Sequence, residues 1–181
     1  MAGQAHALGW PAADFALPGI DGKTWRLADV RGSKGTVVMF ICNHCPYVIA
    51  LIDEIVRDVQ KLDAQGVRSI AIMPNDTEAY PQDSLDNMTL FARQHRLTFP
   101  YVIDRTQEIS RLYRPVCTPE FFGFNAALEL QYHGRLLEGG KNVQPGAKRE
   151  LYEAMVELAT TGRGPSCQVA SMGCSIKWRD A

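Results

Sequence analysis

The chain has 181 residues, 46% apolar and 22% charged, the make-up of an ordinary globular domain. At this length a single domain buries about 70% of the surface its unfolded form exposes, so it needs no metal or disulfide to hold a core. Nineteen basic against twenty acidic residues leave a formal charge of −1, which argues against a nucleic-acid binder with its basic face.

No apolar run approaches the roughly 18–20 residues needed to cross a bilayer, so no membrane partner is expected. The opening MAGQAHALGWPAADF lacks a basic start followed by an apolar stretch. No signal peptide is therefore expected, and the cytoplasm is the expected location. Five cysteines in 181 residues fall far short of the roughly 8–10% of a disulfide scaffold. Their placement therefore matters more than their number.

In chain order, Phe15 to Ile20 and Lys23 to Leu27 flank Asp21-Gly22, which predicts a β-hairpin because both turn residues tolerate positive φ. Thr36 to Ile41 carries no charge and reads as a strand covered on both faces. From Pro46 to Gln65 the apolar positions Val48, Leu51, Ile52, Ile55, Val56, Val59 and Leu62 fall at helical spacing, and Gly66 ends the run. Val67 to Met73 is a second buried strand, which completes a βαβ unit with parallel strands.

A helix follows from about Ser84 to His95, capped by Asp83 or Ser84. Phe99 to Ile103 is a short strand whose Pro100 suits an edge. Gln107 to Tyr113 has room for two helical turns. Phe121 to Phe124 and Leu128 to Tyr132 predict a second hairpin, and Lys148 to Thr160 a last helix stopped by Gly162. The class is α/β with mixed strand directions. We expect one domain over residues 1–165, with a tail at 166–181 packed on it.

Cys42-Asn43-His44-Cys45 falls where the first buried strand gives way to the long helix. Two intervening residues at a helix start let the sulfurs approach disulfide distance. The unpaired N–H groups there, with the helix dipole, favour a thiolate. His44 adds a group able to carry positive charge near neutral pH, and Pro46 is tolerated in a first turn. Cys42, expected to be the more exposed, is the candidate attacking sulfur, and Cys45 the resolving one.

A thiol of pKa about 8.5 is roughly 3% ionised at pH 7, and a drop of about two units raises that to roughly 75%. Nucleophilicity falls with basicity, so attack gains only about threefold; the larger effect is on leaving ability and on potential. Asn-His between the cysteines therefore predicts a more oxidising couple than Gly-Pro would. Zinc binding is the competing reading, with Cys167, Cys174 and His44 or His133 completing a ligand set. The lack of a Gly-rich phosphate loop predicts no nucleotide cofactor, so electrons should come from a protein or small-molecule thiol.

Phe15-Ala-Leu-Pro18, Asp21-Gly22-Lys23, Phe40-Ile-Cys-Asn-His-Cys-Pro-Tyr-Val48, Asn75-Asp76, Tyr80-Pro-Gln-Asp-Ser84, Phe99-Pro-Tyr101, Cys117-Thr-Pro-Glu-Phe-Phe122 and Gly173-Cys-Ser-Ile-Lys-Trp178 together span almost the whole chain. On these pieces the chain resembles the thioredoxin-fold superfamily, specifically its alkyl-hydroperoxide-reductase/thiol-specific-antioxidant (redoxin) branch. Within it, the chain is similar to small thioredoxin family proteins with a CNHCPYV motif.

The resemblance implies a thioredoxin-like three-layer sandwich: a mixed central sheet, an N-terminal hairpin and an inserted helix. It implies thiol–disulfide oxidoreductase activity, with Thr118-Pro119 in cis against the cysteines. Cys117 is then either a third redox thiol or buried filler. An antioxidant peroxidase, with Cys42 peroxidatic and Cys45 resolving, is the alternative. Against it, peroxiredoxins carry P-x-x-x-T-x-x-C, and here Gly35 and Met39 hold the Pro and Thr positions.

Thioredoxin's buried Asp, six residues before its first cysteine, is Thr36 here. His44 and Asp76 are the candidates to take the Cys45 proton. In the tail, Cys174 could partner Cys42, or pair with Cys167. A non-enzymatic module that binds a partner or metal is the third reading. The oligomeric state is not readable from these residues.

Overall fold

The computed structural model describes residues 6–180. Met1–Ala5, the start of the segment scanned for a signal peptide, and Ala181 of the tail lie outside the described residues.

The chain first reverses at Asp21-Gly22. Gly22 takes φ +79°, and Asp21 Oδ1 accepts the Lys23 N–H at 3.1 Å. On either side β1 (Ala16–Pro18) and β2 (Thr24–Arg26) pair antiparallel, with Leu17 opposite Trp25. β3 (Gly35–Phe40) is buried along its length. α1 (Pro46–Asp63) then buries Val48, Leu51, Ile52, Ile55, Val59 and Leu62, and β4 (Val67–Met73) returns parallel to β3. The predicted βαβ unit is present.

α2 (Leu85–Gln94) starts at Ser84, whose hydroxyl accepts the Asn87 N–H at 3.3 Å. Ser84, not Asp83, is therefore the cap, and Asp83 is left for other work. β5 (Tyr101–Ile103) holds the sheet edge expected from Pro100. α3 (Glu108–Tyr113) and β6 (Cys117–Thr118) follow. β7 (Glu120–Phe124), β8 (Leu130–Gly134) and α4 (Glu150–Thr161) come next, and Gly162 ends α4 at φ +78°. β9 (Cys174–Ser175) lies in the tail.

The central sheet runs β5-β4-β3-β7-β8, with β4 parallel to β3 and β5, and β7 antiparallel to β3 and β8. One core lies between this sheet and α1, α2 and α4; Val37, Met39 and Ile41 point into it. The other holds Val38, Phe40, Ile70 and Ile72 against the N-terminal hairpin, Tyr113 of α3 and Phe122. These are the three layers of the expected sandwich.

One expectation needs correction. The second hairpin returns at Leu130, because Leu128 sits in the turn with φ +61°. Asn125 Oδ1 closes that turn by accepting the Ala127 and Glu129 N–H groups. The tail lies on the domain through a strand pair, β9 antiparallel with β6 and Cys174 opposite Thr118. Among the described residues, no helix is long and apolar enough to cross a membrane.

Candidate active site

β3 delivers the motif. Ile41 still donates its N–H to Ile72 O, and the chain then leaves the sheet at Cys42. Cys45 is the N-cap of α1, and Pro46 is its first residue, where the helical spacing begins. Pro46 thus forfeits only an N–H that no helical carbonyl would have met. Both cysteines are buried, at 1% and 0% exposure. The exposure difference expected between them is absent.

Thr118-Pro119 is cis. Thr118 faces both cysteines: its hydroxyl is 3.5 Å from Cys42 Sγ, and its carbonyl oxygen 3.2 Å from Cys45 Sγ. The sequence placed Cys174 against Cys42 or Cys167. Its sulfur instead lies 2.8 Å from Cys45 Sγ. Cys117, 5% exposed, is pushed up to about 12 by burial and by the Glu120 charge.

Asp83 organises the loop between the cysteines, a role the sequence reading missed. Fully buried, it accepts the Asn43 N–H at Oδ1, 2.8 Å, and an Asn75 side-chain N–H at Oδ2, 2.9 Å. His44 Nδ1 lies 2.8 Å from the same Oδ2, at ion-pair distance but out of line for a hydrogen bond. The His44 ring stacks parallel to Tyr80, with centroids 5.9 Å apart. The Asn43 side chain donates to Gln82 O at 3.1 Å and accepts the Tyr101 hydroxyl at 2.8 Å. Burial above all, with the Asp83 charge, raises Tyr101 well above the ordinary phenol range and keeps it a donor. Tyr80, Gln82 and Asp83 belong to one of the segments that carry the resemblance, but only their local capping signal was legible.

The two thiols are shifted in opposite directions by their mutual contact. Cys45 is lowered to about 4, first by its contact with the Cys42 thiol, then by Cys174, the Val48 N–H and Thr118, against the opposing effect of burial. Cys42 is raised because its proton is held against Cys45, and further by burial and the Asp83 charge. Cys174 is raised to about 11 by burial and the neighbouring Cys45. In the reduced protein these contacts shift Cys45 toward the thiolate and Cys42 toward the thiol. When protonated, Cys45 instead donates to Thr118 O.

Of the proton acceptors proposed from sequence, His44 is at the site. The Asp76 carboxylate is engaged by Arg179 at 3.0 Å, and that guanidinium holds it below its ordinary value. The Thr36 hydroxyl accepts the Gly32 N–H at 3.1 Å. Cys167 is exposed beside α4, where it lines a cavity with Tyr132, Lys148 and Ala154. His133 is buried with Nε2 2.7 Å from Glu120 Oε1. The predicted zinc sets drawing on Cys167 or His133 are therefore not assembled. Among the described residues, Cys42, His44 and Asp83 bring ligand atoms within 4.8 Å of one another.

A mixed five-stranded sheet in three layers, with a CxxC pair at the carboxyl end of β3 beneath a cis-proline, defines a protein of the thioredoxin fold. The chain belongs to the AhpC/TSA family, whose model matches residues 8–136. It is 33% identical over 112 residues to thiol-disulfide oxidoreductase ResA of Geobacillus thermodenitrificans, a match covering 60% of this chain and 58% of that protein. The chain spans less than two thirds of the length of the curated relatives it matches, 58% and 63%.

Among solved structures, an uncharacterized conserved protein of Geobacillus kaustophilus superposes with TM-score 0.92 at 40% identity, over 97% of this chain and 94% of that one. A thiol:disulfide interchange protein of the thioredoxin family from Chlorobium tepidum TLS shares the fold, with TM-score 0.64 at 20% identity, over 86% of this chain and 99% of that one.

Proposed function

We propose that the protein is a thiol–disulfide oxidoreductase that exchanges a disulfide between Cys42–Cys45 and a protein or small-molecule thiol. The observation that carries the reading is the placement of two buried thiols at a helix start, both facing Thr118. The name of the ResA relatives supports it. Cys42 is the sulfur met by substrate, because Cys45 is covered by Thr118 O and Cys174. A groove lined by Asn43, Gln82, Asn87, Leu90 and Phe91 opens beside the motif.

In the reducing direction Cys42 attacks one sulfur of a substrate disulfide as its proton passes to Cys45. The Cys42–substrate bond forms, and the second substrate sulfur leaves as thiolate. That thiolate takes the proton from Cys45, whose sulfur then attacks Cys42. The Cys42–Cys45 bond forms and the remaining substrate thiolate departs. Two electrons have passed from protein to substrate.

The reading includes residence in a reducing compartment, and a couple more oxidising than thioredoxin's because Cys45 is a stabilised leaving thiolate. Turnover of insulin or glutathione disulfide should be lost in Cys42→Ser. Full turnover in that variant would remove the proposal. A second reading, metal binding, is favoured only by the Cys42/His44/Asp83 cluster. Stoichiometric zinc in the purified reduced protein would support it.

A further inference from the structure

We propose that Cys174 is a third redox-active thiol, which takes the disulfide over from Cys42 by attacking Cys45 and presents it to the electron donor. The inference rests on the Cys42–Cys45 reading above and extends it into the tail.

The placement of Cys174 is built, not incidental. Its sulfur is 129 residues from Cys45 in sequence and 2.8 Å from it in space. That contact is about 0.8 Å longer than a disulfide bond. β9 sets it there by pairing with β6 so that Cys174 stands opposite Thr118, the residue that also faces both motif sulfurs. The pairing needs glycine one residue earlier, since a Cβ on Gly173 would lie 2.0 Å from Thr118 O.

Beyond Cys174 the tail is fixed at several points. The Lys177 N–H donates to Asn75 Oδ1 at 2.9 Å, and Lys177 O accepts from the Asp76 N–H and from Gln107. The Arg179 N–H reaches Gln107 Oε1 at 2.8 Å, and Arg111 lies over the Trp178 ring. Asn75 is also the residue whose side chain donates to Asp83, so tail and motif share one anchor. This tail lies beyond the residues matched by the family model. Asn75-Asp76 sits where α/β sheets commonly bind ligands, and here that place receives the tail.

The third thiol offers the donor a more accessible sulfur than the one that meets substrate. Cys42 and Cys45 are both buried, whereas Cys174 is half-buried. Once Cys42–Cys45 has formed, the Cys174 thiolate attacks Cys45. The Cys45–Cys174 bond forms, the Cys42–Cys45 bond breaks, and Cys42 leaves as a thiolate that takes the proton given up by Cys174. No electrons enter or leave in this step. A donor thiolate then attacks Cys174, Cys45 departs as thiolate, and a second donor thiol releases the first as a donor disulfide.

The test treats the wild-type chain and the Cys42→Ser variant with glutathione disulfide, blocks free thiols, and maps linked peptides by mass spectrometry. The expected result is a Cys45–Cys174 link in Cys42→Ser, and both Cys42–Cys45 and Cys45–Cys174 links in wild type. Free thiols, a glutathione adduct on Cys45 or a Cys45–Cys117 link in Cys42→Ser would overturn the inference. Absence of Cys42–Cys45 in wild type would instead count against the underlying reading. A second readout does not depend on how Cys42→Ser folds: glutathione should reduce the oxidised Cys174→Ser protein at least threefold more slowly than wild type. Equal rates would also overturn the inference.

Discussion

Asp83 Oδ1 accepts the backbone N–H of Asn43 at 2.8 Å, tying the loop between the two cysteines to a fully buried carboxylate forty residues away. The same carboxylate receives Asn75, lies beside His44, and raises Cys42 through its charge. Asp83→Asn keeps the size, removes the charge and turns an amide N–H toward one of the two donors now bound. The variant should lose about 1–3 kcal/mol from the unsatisfied buried group. Its Cys42 should also react with iodoacetamide at lower pH than wild type. Urea melts and a pH series of alkylation rates check this; two unchanged curves would contradict it.

The opposite shifts of the two thiols predict how reduction changes stability with pH. Cys45 has its folded value lowered to about 4 from 9.0, so between those values the unfolded chain holds a proton that the folded reduced protein does not. Reduced-form stability therefore rises with pH over that window and is lost as pH falls through about 4. Cys42 is shifted upward, so its contribution is present below its unfolded value and fades above about 9. The disulfide form has neither group. The stability of the reduced protein minus that of the oxidised protein should be larger at pH 8 than at pH 5, read from urea midpoints. A difference that shrinks over this interval would be inconsistent with a thiolate on Cys45.

Gly173→Ala probes the tail strand. The added Cβ would meet Thr118 O at 2.0 Å, backbone that cannot simply rotate away. The β6–β9 pair should open, at a cost of about 1–3 kcal/mol, and Cys174 should be alkylated several-fold faster. Unchanged protection of Cys174 would mean that the pairing does not hold it.

Glu120 and His133 form a buried pair behind Pro119. Glu120 Oε2 also accepts the Val116 N–H at 2.6 Å, so this carboxylate fixes the loop that carries Cys117 and Thr118. Glu120→Ala leaves His133 Nε2 and that N–H unpaired and should destabilise by about 1–3 kcal/mol. A loss under about 1 kcal/mol in denaturant titration would refute this.

The parts of the molecule legible in sequence are those with local signals. The Asp21-Gly22 turn, the uncharged β3, the amphipathic α1 and the edge proline before β5 each leave a pattern within a few residues. Cys42 and Cys45 were legible for the same reason, as spacing at a helix start. Thr118-Pro119 needed the family resemblance. β6 and β9 were invisible because two-residue strands have no periodicity, and their pairing joins segments far apart in the chain. Asp83 and Ser84 were equally good caps locally. Only the tertiary structure decided that Ser84 takes the cap and Asp83 turns to the motif. Cys174 was noticed in sequence, but its partner depended on that same strand pairing.

The central claim is that Cys42 is the sulfur that meets substrate and Cys45 the one that releases it. The most direct measurement uses a Cys45→Ser variant exposed to a disulfide substrate such as oxidised insulin, with the adduct mapped by mass spectrometry. The account predicts a long-lived mixed disulfide on Cys42, absent when Cys42 is also replaced by serine. An adduct on Cys117, Cys167 or Cys174 with Cys42 left free would contradict it.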